Sequence, residues 1–120
     1  MIKNILIVGT GGALGSIARY LITCLFTHLA ICSELATFMV NVIGSFIIGL
    51  LIPSAQSTLY LLLAVGFCGG FTTFSTFSAQ AFQMLQNGQR LTSLTYILAS
   101  VIISITFVFL GIYISERYVK

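Results

Sequence analysis

Long hydrophobic runs alternate with short polar segments along the chain. The hydrophobic runs cover residues 4–26, 35–52, 59–86 and 91–115, and the polar segments between them are residues 27–34, 53–58 and 87–90. About 20 apolar residues are enough to cross the hydrocarbon core of a bilayer as an α-helix. The pattern therefore predicts an all-α integral membrane protein, a single domain over residues 1–120 with four transmembrane helices.

The third hydrophobic run is too long for one straight crossing. Its 28 residues would extend about 42 Å as an α-helix, against a hydrocarbon core of about 30 Å. Within it, residues 66–78 place glycines, hydroxyl side chains and phenylalanines at membrane depth. Irregular backbone is tolerated there where protein buries it or where it lines a polar path. We therefore expect the third helix to be broken near residues 69–73, with its second half capped by the hydroxyls of Thr72, Thr73, Ser75 and Thr76.

Composition supports a membrane location and excludes several classes of protein. Hydrophobic residues make up 58% of the chain and charged residues only 6%, with a mean hydropathy of +1.12, whereas soluble domains carry about 25% charged residues. The sequence contains no basic cluster of the kind that binds nucleic acid. It also contains no base–nucleophile pair and no metal-ligand cluster of the kind that an enzyme uses. Because neither Glu34 nor Glu116 lies inside a hydrophobic run, the chain also differs from proton-coupled cation exporters.

The cysteines and the single histidine have no spacing typical of a metal site. We interpret Cys24, Cys32 and Cys68 as buried small apolar residues rather than disulfide partners or metal ligands. His28 lies near a predicted helix end, where we expect an interfacial side chain.

Positive residues are almost evenly shared between the two ends of the predicted bundle. Lys3, Arg117 and Lys120 lie on one side, while Arg90 and the helix-end residue Arg19 belong to the other. The positive-inside rule needs a clear bias to fix orientation. We therefore predict insertion in both orientations, which would allow an antiparallel, dual-topology dimer.

The glycines of the first run imitate a dinucleotide-binding loop. Residues 5–15 read as a strand followed by Gly11, Gly12 and Gly15, but no βαβ unit can follow in this chain. Gly11 and Gly15 instead form a G-x-x-x-G pair with Gly12 beside them, which favours close approach of another helix. Gly44 in the second run is a further small residue of this kind.

Two of the predicted helices carry one polar side chain per turn. Thr37, Asn41 and Ser45 form the first stripe, and Tyr96, Ser100 and Ser104 form the second. Positions i, i+4 and i+8 share one helix face. The stripes fit hydrogen bonding between helices, worth about 0.6 kcal/mol on average in membranes. They also fit a pore lining that lacks a fixed charge and so releases ions readily. The residues alone leave both interpretations open.

Phe74 and Phe77 are three residues apart and share a face of the second half-helix. Aromatic rings carry positive edges, so edges turned into a narrow path can attract an anion. Neighbouring hydroxyls such as Ser75 can replace part of the anion's hydration shell. Simple packing is the alternative for both rings. Arg19 is the one charge within a hydrophobic run, where it serves either to attract anions at a vestibule or to hold the first helix in place.

The chain resembles the Fluc (CrcB) family of fluoride channels in three segments, residues 11–20, 37–46 and 66–78. The resemblance implies a passive, fluoride-selective channel built as an antiparallel dimer with two pores along the interface. It further implies a multi-pass protein of the cell membrane that releases cytoplasmic fluoride and lowers its toxicity. The partner chain would be an identical copy or a paralogue.

The resemblance also implies roles for individual residues. Phe74 and Phe77 would form an aromatic anion-binding box, and Asn41 would donate an amide hydrogen. The polar track would comprise Thr37, Tyr96, Ser100 and Ser104. The carbonyls of Gly69 and Thr72 would hold a structural sodium ion, which is not transported, at the dimer centre.

Two rival functions remain at this stage. One is a membrane scaffold that transports nothing and uses its small and polar residues only for helix packing. The other is a coupled fluoride/proton antiporter, which needs a titratable group that the sequence does not offer in the path.

Overall fold

The computed structural model of the chain describes residues 1–118. Within them it has four helices that are long and apolar enough to cross a membrane. The spans are Ile2–His28, Ser33–Ser54, Thr58–Gln86 and Arg90–Tyr118. Residues 1–118 contain no strand. The prediction of an all-α membrane protein with four spans is confirmed. Lys120, one of the cations in the predicted charge balance, lies outside the described residues.

The spans are built from five main helices. α1 covers Ile2–His28, and α2 covers Ser33–Leu51 before a 3-10 turn around Pro53. The third span consists of α3, residues 58–71, and α4, Phe74–Gln86, and the fourth is α5, Arg90–Tyr118. Within α3, Leu61–Cys68 is π-helical, a rare form that often marks functional sites.

The break in the third span falls at Thr72 and Thr73, two residues after the glycine pair that suggested it. Thr72 has φ −79° and ψ 159°, and Thr73 has φ −150° and ψ 108°, so both are extended. Gly69 and Gly70 remain helical. Thr73 is the N-cap of α4, because its hydroxyl accepts the Thr76 N–H at 3.2 Å.

α1 packs against α3 through glycines on both helices. A Cβ on Gly11 would overlap the Leu62 carbonyl oxygen, and a Cβ on Gly15 would overlap that of Phe67. From the other side, a Cβ on Gly66 would lie 2.8 Å from the Val8 carbonyl oxygen. The glycine segment of α1 is therefore continuous helix that packs against the third span. A Cβ on Gly12, by contrast, would make only an ordinary 3.8 Å contact.

α2 and α5 pack closely along much of their length. A Cβ on Gly49 would overlap the Val108 carbonyl oxygen, and one on Gly111 would lie 2.5 Å from the Phe46 carbonyl oxygen. The rings of Phe46 and Phe107 meet edge to face at 6.2 Å. This contact places the polar stripe of α2 beside that of α5.

Most of α1 is exposed outside its glycine face, which explains one wrong prediction. Cys68 is buried, but Cys24 and Cys32 are exposed. Cys24 lies on a face of α1 that no other helix covers, and Cys32 lies in the connection before α2. His28 is the exposed last residue of α1.

Candidate functional site

A cavity of about 440 Å³ lies where the break in the third span meets α2 and α5. Residues from both halves of the broken span line it, together with two residues of each polar stripe. Its polar and aromatic lining residues are Asn41, Ser45, Cys68, Thr72, Phe74, Phe77, Ser100 and Ser104. Gly44 and Gly69 also line it.

The carboxamide of Asn41 binds both ends of the Thr73 backbone. The Thr73 N–H donates to Asn41 Oδ1 at 2.7 Å, and Asn41 Nδ2 donates to the Thr73 carbonyl oxygen at 3.2 Å. An extended residue inside a membrane span needs such a partner because no water is available to it. The second N–H of the same amide is left for another acceptor.

Several backbone carbonyls lose their helical partners at the break. In a continuous helix the Thr73 N–H would donate to the Gly69 carbonyl and the Thr76 N–H to the Thr72 carbonyl. Here the first N–H donates to Asn41 and the second to the Thr73 hydroxyl. The Gly69 and Thr72 carbonyls, the two predicted to hold sodium, are thereby released from the helical ladder.

Three aromatic rings follow one another from the cavity along α4 and α5. The centroids of Phe74 and Phe77 are 5.6 Å apart, and those of Phe77 and Tyr96 are 5.2 Å apart. Phe77 is 7% exposed, whereas Phe74 is 77% exposed on the single chain. The arrangement leaves the face of the molecule that carries Phe74 uncovered.

Ser100 is the buried polar group without a partner in the described part of the chain. Its side chain is 6% exposed, and its Oγ makes no hydrogen bond there. Leaving a buried hydroxyl unpaired costs about 1–3 kcal/mol. Ser100 is one of the residues that line the cavity, but its Oγ itself is fully buried in the single chain.

Four of the predicted site residues do not line the cavity. The Thr37 hydroxyl is buried and donates to the Ser33 carbonyl at 3.2 Å. Ser75 Oγ lies 3.4 Å from the Thr73 hydroxyl. Tyr96 packs on Phe77, and Arg19 approaches the break from α1, with its Nη1 3.5 Å from the Thr72 carbonyl oxygen.

Gln80 is a site residue that the sequence analysis missed. It is 8% exposed; its Oε1 accepts from the Tyr96 hydroxyl at 2.9 Å, and its Nε2 donates to Ser33 Oγ at 3.4 Å. Ser33 in turn donates to Glu34 at 3.3 Å. The amide thus extends the row of polar groups from the aromatic rings to the beginning of α2.

The chemistry of this site is that of neutral donors beside aromatic rings. No charged side chain lines the cavity within the described residues. Hydroxyl and amide N–H groups bind an anion by replacing its water, while the lack of a fixed positive charge keeps the binding weak enough for release. The hydroxyl and amide donors and the positive edges of the phenylalanine rings suit an anion.

Known proteins resemble this chain over nearly its whole length. The family described as "CrcB-like protein, Camphor Resistance (CrcB)" matches residues 6–112. A protein named "Fluoride-specific ion channel FluC" from Gloeothece citriformis is 49% identical over 95% of this chain and 98% of its own. Proteins of the same name from Leptospira interrogans and Azobacteroides pseudotrichonymphae are 42% and 37% identical, over 97% and 98% of this chain and 97% and 100% of their own.

Proposed function

The chain belongs to the CrcB family, and from this premise we propose that it is a passive, fluoride-selective ion channel rather than an enzyme. Relatives that match 95% and 97% of its length are named as fluoride-specific channels. The cavity at the broken span supplies a chemically suitable site, because its lining combines hydroxyl and amide donors with two phenylalanine rings.

The observation that carries this proposal is the unpartnered Ser100 hydroxyl. It is buried beside Asn41, Phe74 and Phe77 in the lining of one cavity. A hydroxyl there costs about 1–3 kcal/mol unless something accepts its hydrogen. Fluoride is a strong hydrogen-bond acceptor, so a passing fluoride ion would offset this cost once the Ser100 side chain turns its hydroxyl toward the cavity.

Phe74 and Phe77 would complete the coordination of the ion. Ring edges carry partial positive charge and would attract the ion. The second N–H of the Asn41 amide would donate a hydrogen bond to the ion near Thr73. Tyr96 and Ser104 continue the path on α5, with Thr37 and Ser75 next to it. Fluoride would move down its own gradient through these groups.

A second subunit would cover the face that carries Phe74. We propose an antiparallel, dual-topology dimer with two pores along its interface, made of two copies of this chain or of this chain and a paralogue. The 77% exposure of Phe74 supports this, since a ring of a fluoride site must be enclosed to exclude water. The balanced positive charges support the antiparallel arrangement.

The carbonyls at the break fit a structural sodium ion. Hard cations prefer oxygen ligands, and the Gly69 carbonyl has lost its helical donor to Asn41. The Thr72 carbonyl oxygen accepts from Arg19 with one lone pair and keeps another. Hard cations take about six oxygen ligands, so the second subunit would have to supply more. Such an ion would hold two subunits together and would not be transported.

The protein is a multi-pass membrane protein. We place it in the cell membrane, where a passive channel would let accumulated cytoplasmic fluoride leave and so lower its toxicity. Transport would need no coupling to protons, because no carboxylate lies in the cavity lining.

Fluoride efflux from liposomes tests the proposal. Purified protein is reconstituted, efflux is followed with a fluoride electrode, and chloride serves as the control anion. We expect fluoride efflux without chloride efflux. We expect Phe77→Ile to slow fluoride efflux about two- to tenfold, since one aromatic contact is worth about 0.5–1.5 kcal/mol. Phe82→Ile is the matched control, because Phe82 lies on the same helix, is 59% exposed and does not line the cavity.

Three outcomes would contradict the proposal. Liposomes that retain fluoride would support a scaffold without transport. Efflux that follows an imposed proton gradient in the absence of a fluoride gradient would support an antiporter. If Phe77→Ile and Phe82→Ile slow fluoride efflux equally, the cavity is not the pore.

A further inference from the structure

Two side chains of α1 donate to carbonyls at the break in the third span. Arg19 Nη1 lies 3.5 Å from the Thr72 carbonyl oxygen, and Ser16 Oγ lies 3.5 Å from the Gly70 carbonyl oxygen. Ser16 and Arg19 are three residues apart and so share a helix face. The half-buried Arg19 is therefore directed at the broken span rather than toward lipid.

The Thr72 carbonyl and the Thr73 N–H belong to one peptide group, and the two ends of that group are held by different helices. Arg19 on α1 donates to the carbonyl oxygen, while Asn41 on α2 accepts from the N–H at 2.7 Å. A trans peptide points these two ends in opposite directions. Rotation of this peptide plane would break both contacts together.

The orientation of this peptide determines where α4 begins and therefore where its aromatic side chains lie. Thr73 is the N-cap of α4, and Phe74 is its first residue. A charged donor strengthens a hydrogen bond to a carbonyl oxygen, so this contact favours one orientation of the peptide. Arg19 itself does not line the cavity.

We propose that Arg19 is a positioning residue for fluoride conduction, an inference that rests on the proposed function. Its guanidinium holds the Thr72–Thr73 peptide against α1 while Asn41 holds it against α2. Arg19 thereby fixes Phe74 and Phe77 without binding fluoride. The positive charge serves the backbone at the break and is not an attractor for anions entering from solution.

Charge substitutions at two positions test this proposal. Arg19→Gln removes the charged donor, Arg19→Lys keeps a charge and a donor, and Arg90→Gln removes an exposed cation far from the break. Fluoride efflux is measured at low and at high concentrations of an impermeant salt. Hydrogen exchange is measured in parallel at residues 72–76, with residues 94–106 of α5 as the internal reference.

We expect Arg19→Gln to slow efflux about tenfold, the equivalent of about 1.4 kcal/mol, and to do so equally at both salt concentrations. Exchange at residues 72–76 should rise about tenfold in the same variant. Arg19→Lys should lose less than about threefold in each measurement, because an ammonium group also donates to a carbonyl. Arg90→Gln removes one cation from the same side of the bundle as Arg19→Gln does, so it controls for the changed charge balance. It should slow efflux less than Arg19→Gln and leave exchange at residues 72–76 unchanged.

A loss of efflux that high salt abolishes, with unchanged exchange at residues 72–76, would overturn the proposal, because attraction of solution anions is screened by salt. Unchanged efflux and exchange in Arg19→Gln would overturn it as well. If Arg19→Gln does not fold, Arg19→Lys decides alone, and reduced efflux with unchanged exchange contradicts the proposal. Absence of efflux from the unsubstituted protein would instead contradict the proposed function, while exchange would still report whether Arg19 holds the peptide.

Discussion

Ser93 and Ser100 lie on the same helix and are both buried, yet their hydroxyls are in opposite situations. Ser93 Oγ donates to the Ala81 carbonyl oxygen at 2.8 Å and ties the start of α5 to α4. Ser100 Oγ has no partner within the described residues. A hydrogen bond contributes to stability, whereas an unpaired buried hydroxyl opposes it. We therefore expect Ser93 to serve stability and Ser100 to serve the proposed conduction.

We predict that Ser93→Ala lowers the free energy of unfolding by about 1–2 kcal/mol, because the Ala81 carbonyl loses its donor. Fluoride efflux by the folded fraction should stay the same. Ser100→Ala should leave stability equal or higher while slowing fluoride efflux. Thermal unfolding in detergent and liposome efflux measure the two effects. Identical behaviour of the two variants in both assays would contradict this distinction.

Asn41→Asp should abolish efflux for a reason that the hydrogen bonds make specific. The carboxylate can still accept the Thr73 N–H, but its second oxygen would then face the Thr73 carbonyl oxygen, which Asn41 Nδ2 now contacts at 3.2 Å. Two acceptors repel each other there, and the added negative charge opposes fluoride. The measurement is liposome efflux alongside size-exclusion chromatography. Asn4→Asp, at the exposed start of α1, is the matched control and should conduct normally.

At the scale of the element, the contact between α1 and α3 depends on the absence of side chains. Gly11 and Gly15 allow the α1 backbone to approach the carbonyls of Leu62 and Phe67 closely. In membranes, helix association relies on such close packing because lipid is as apolar as the helices. This contact also carries Ser16 and Arg19 to the break.

Gly11→Ala should destabilise the protein by about 1–3 kcal/mol, because the added methyl group overlaps the Leu62 carbonyl and forces the helices apart. Gly9→Ala is its control on the same helix, since a Cβ at Gly9 meets nothing within 4 Å. That control should be stabilised by up to about 1 kcal/mol through helix propensity. Thermal unfolding in detergent measures both. Equal midpoints for the two variants would show that the contact contributes little.

The position of the break shows what local sequence can and cannot specify. Excess length and the glycine pair were enough to predict a broken third span. The exact residues were not readable, because the Thr73 peptide is captured by Asn41, which lies 32 residues earlier in the chain. Where a helix ends inside a membrane thus depends on which side chain reaches its backbone after folding.

The polar stripes and Gln80 also differ in how much of their role local sequence could reveal. The cavity is lined by Asn41 and Ser45 of one stripe and by Ser100 and Ser104 of the other, so the face that each helix turns toward it was visible in the sequence. Gln80 follows Thr72 and Thr76 at the same four-residue spacing in the sequence, but the break at Thr72 and Thr73 interrupts that stripe. The Gln80 partners Tyr96 and Ser33 are 16 and 47 residues away, and only the packed helices bring them together.

At the scale of the whole molecule, the nearly even distribution of positive charges and the uncovered side of the cavity both fit a second, antiparallel subunit. Phe74 lines the cavity but is largely uncovered on one chain. A second subunit inserted in the opposite orientation would present the same face and close the site by two-fold symmetry. The positive residues give three against two between the two sides, which leaves both orientations accessible.

Substitutions that bias the positive charges toward one side should therefore test whether conduction needs subunits in both orientations. We predict that Lys3→Gln combined with Asn87→Lys and Gln89→Lys places all subunits in one orientation, as a C-terminal reporter would reveal, and abolishes efflux. The opposite bias, Arg90→Gln with Gln56→Lys and Ser57→Lys, should be inactive alone as well. Co-expression of the two should restore efflux. Full efflux from either biased variant alone would contradict the antiparallel dimer.

The peptide held between Arg19 and Asn41 also has a consequence for how the protein is made. Both of these side chains precede residues 72–73 in the chain, so they leave the ribosome before the break in the third span does. The partners of the interrupted backbone are then already present when it leaves the translocon. The kink can form on arrival, and the nascent chain avoids a stage in which bare peptide groups meet lipid.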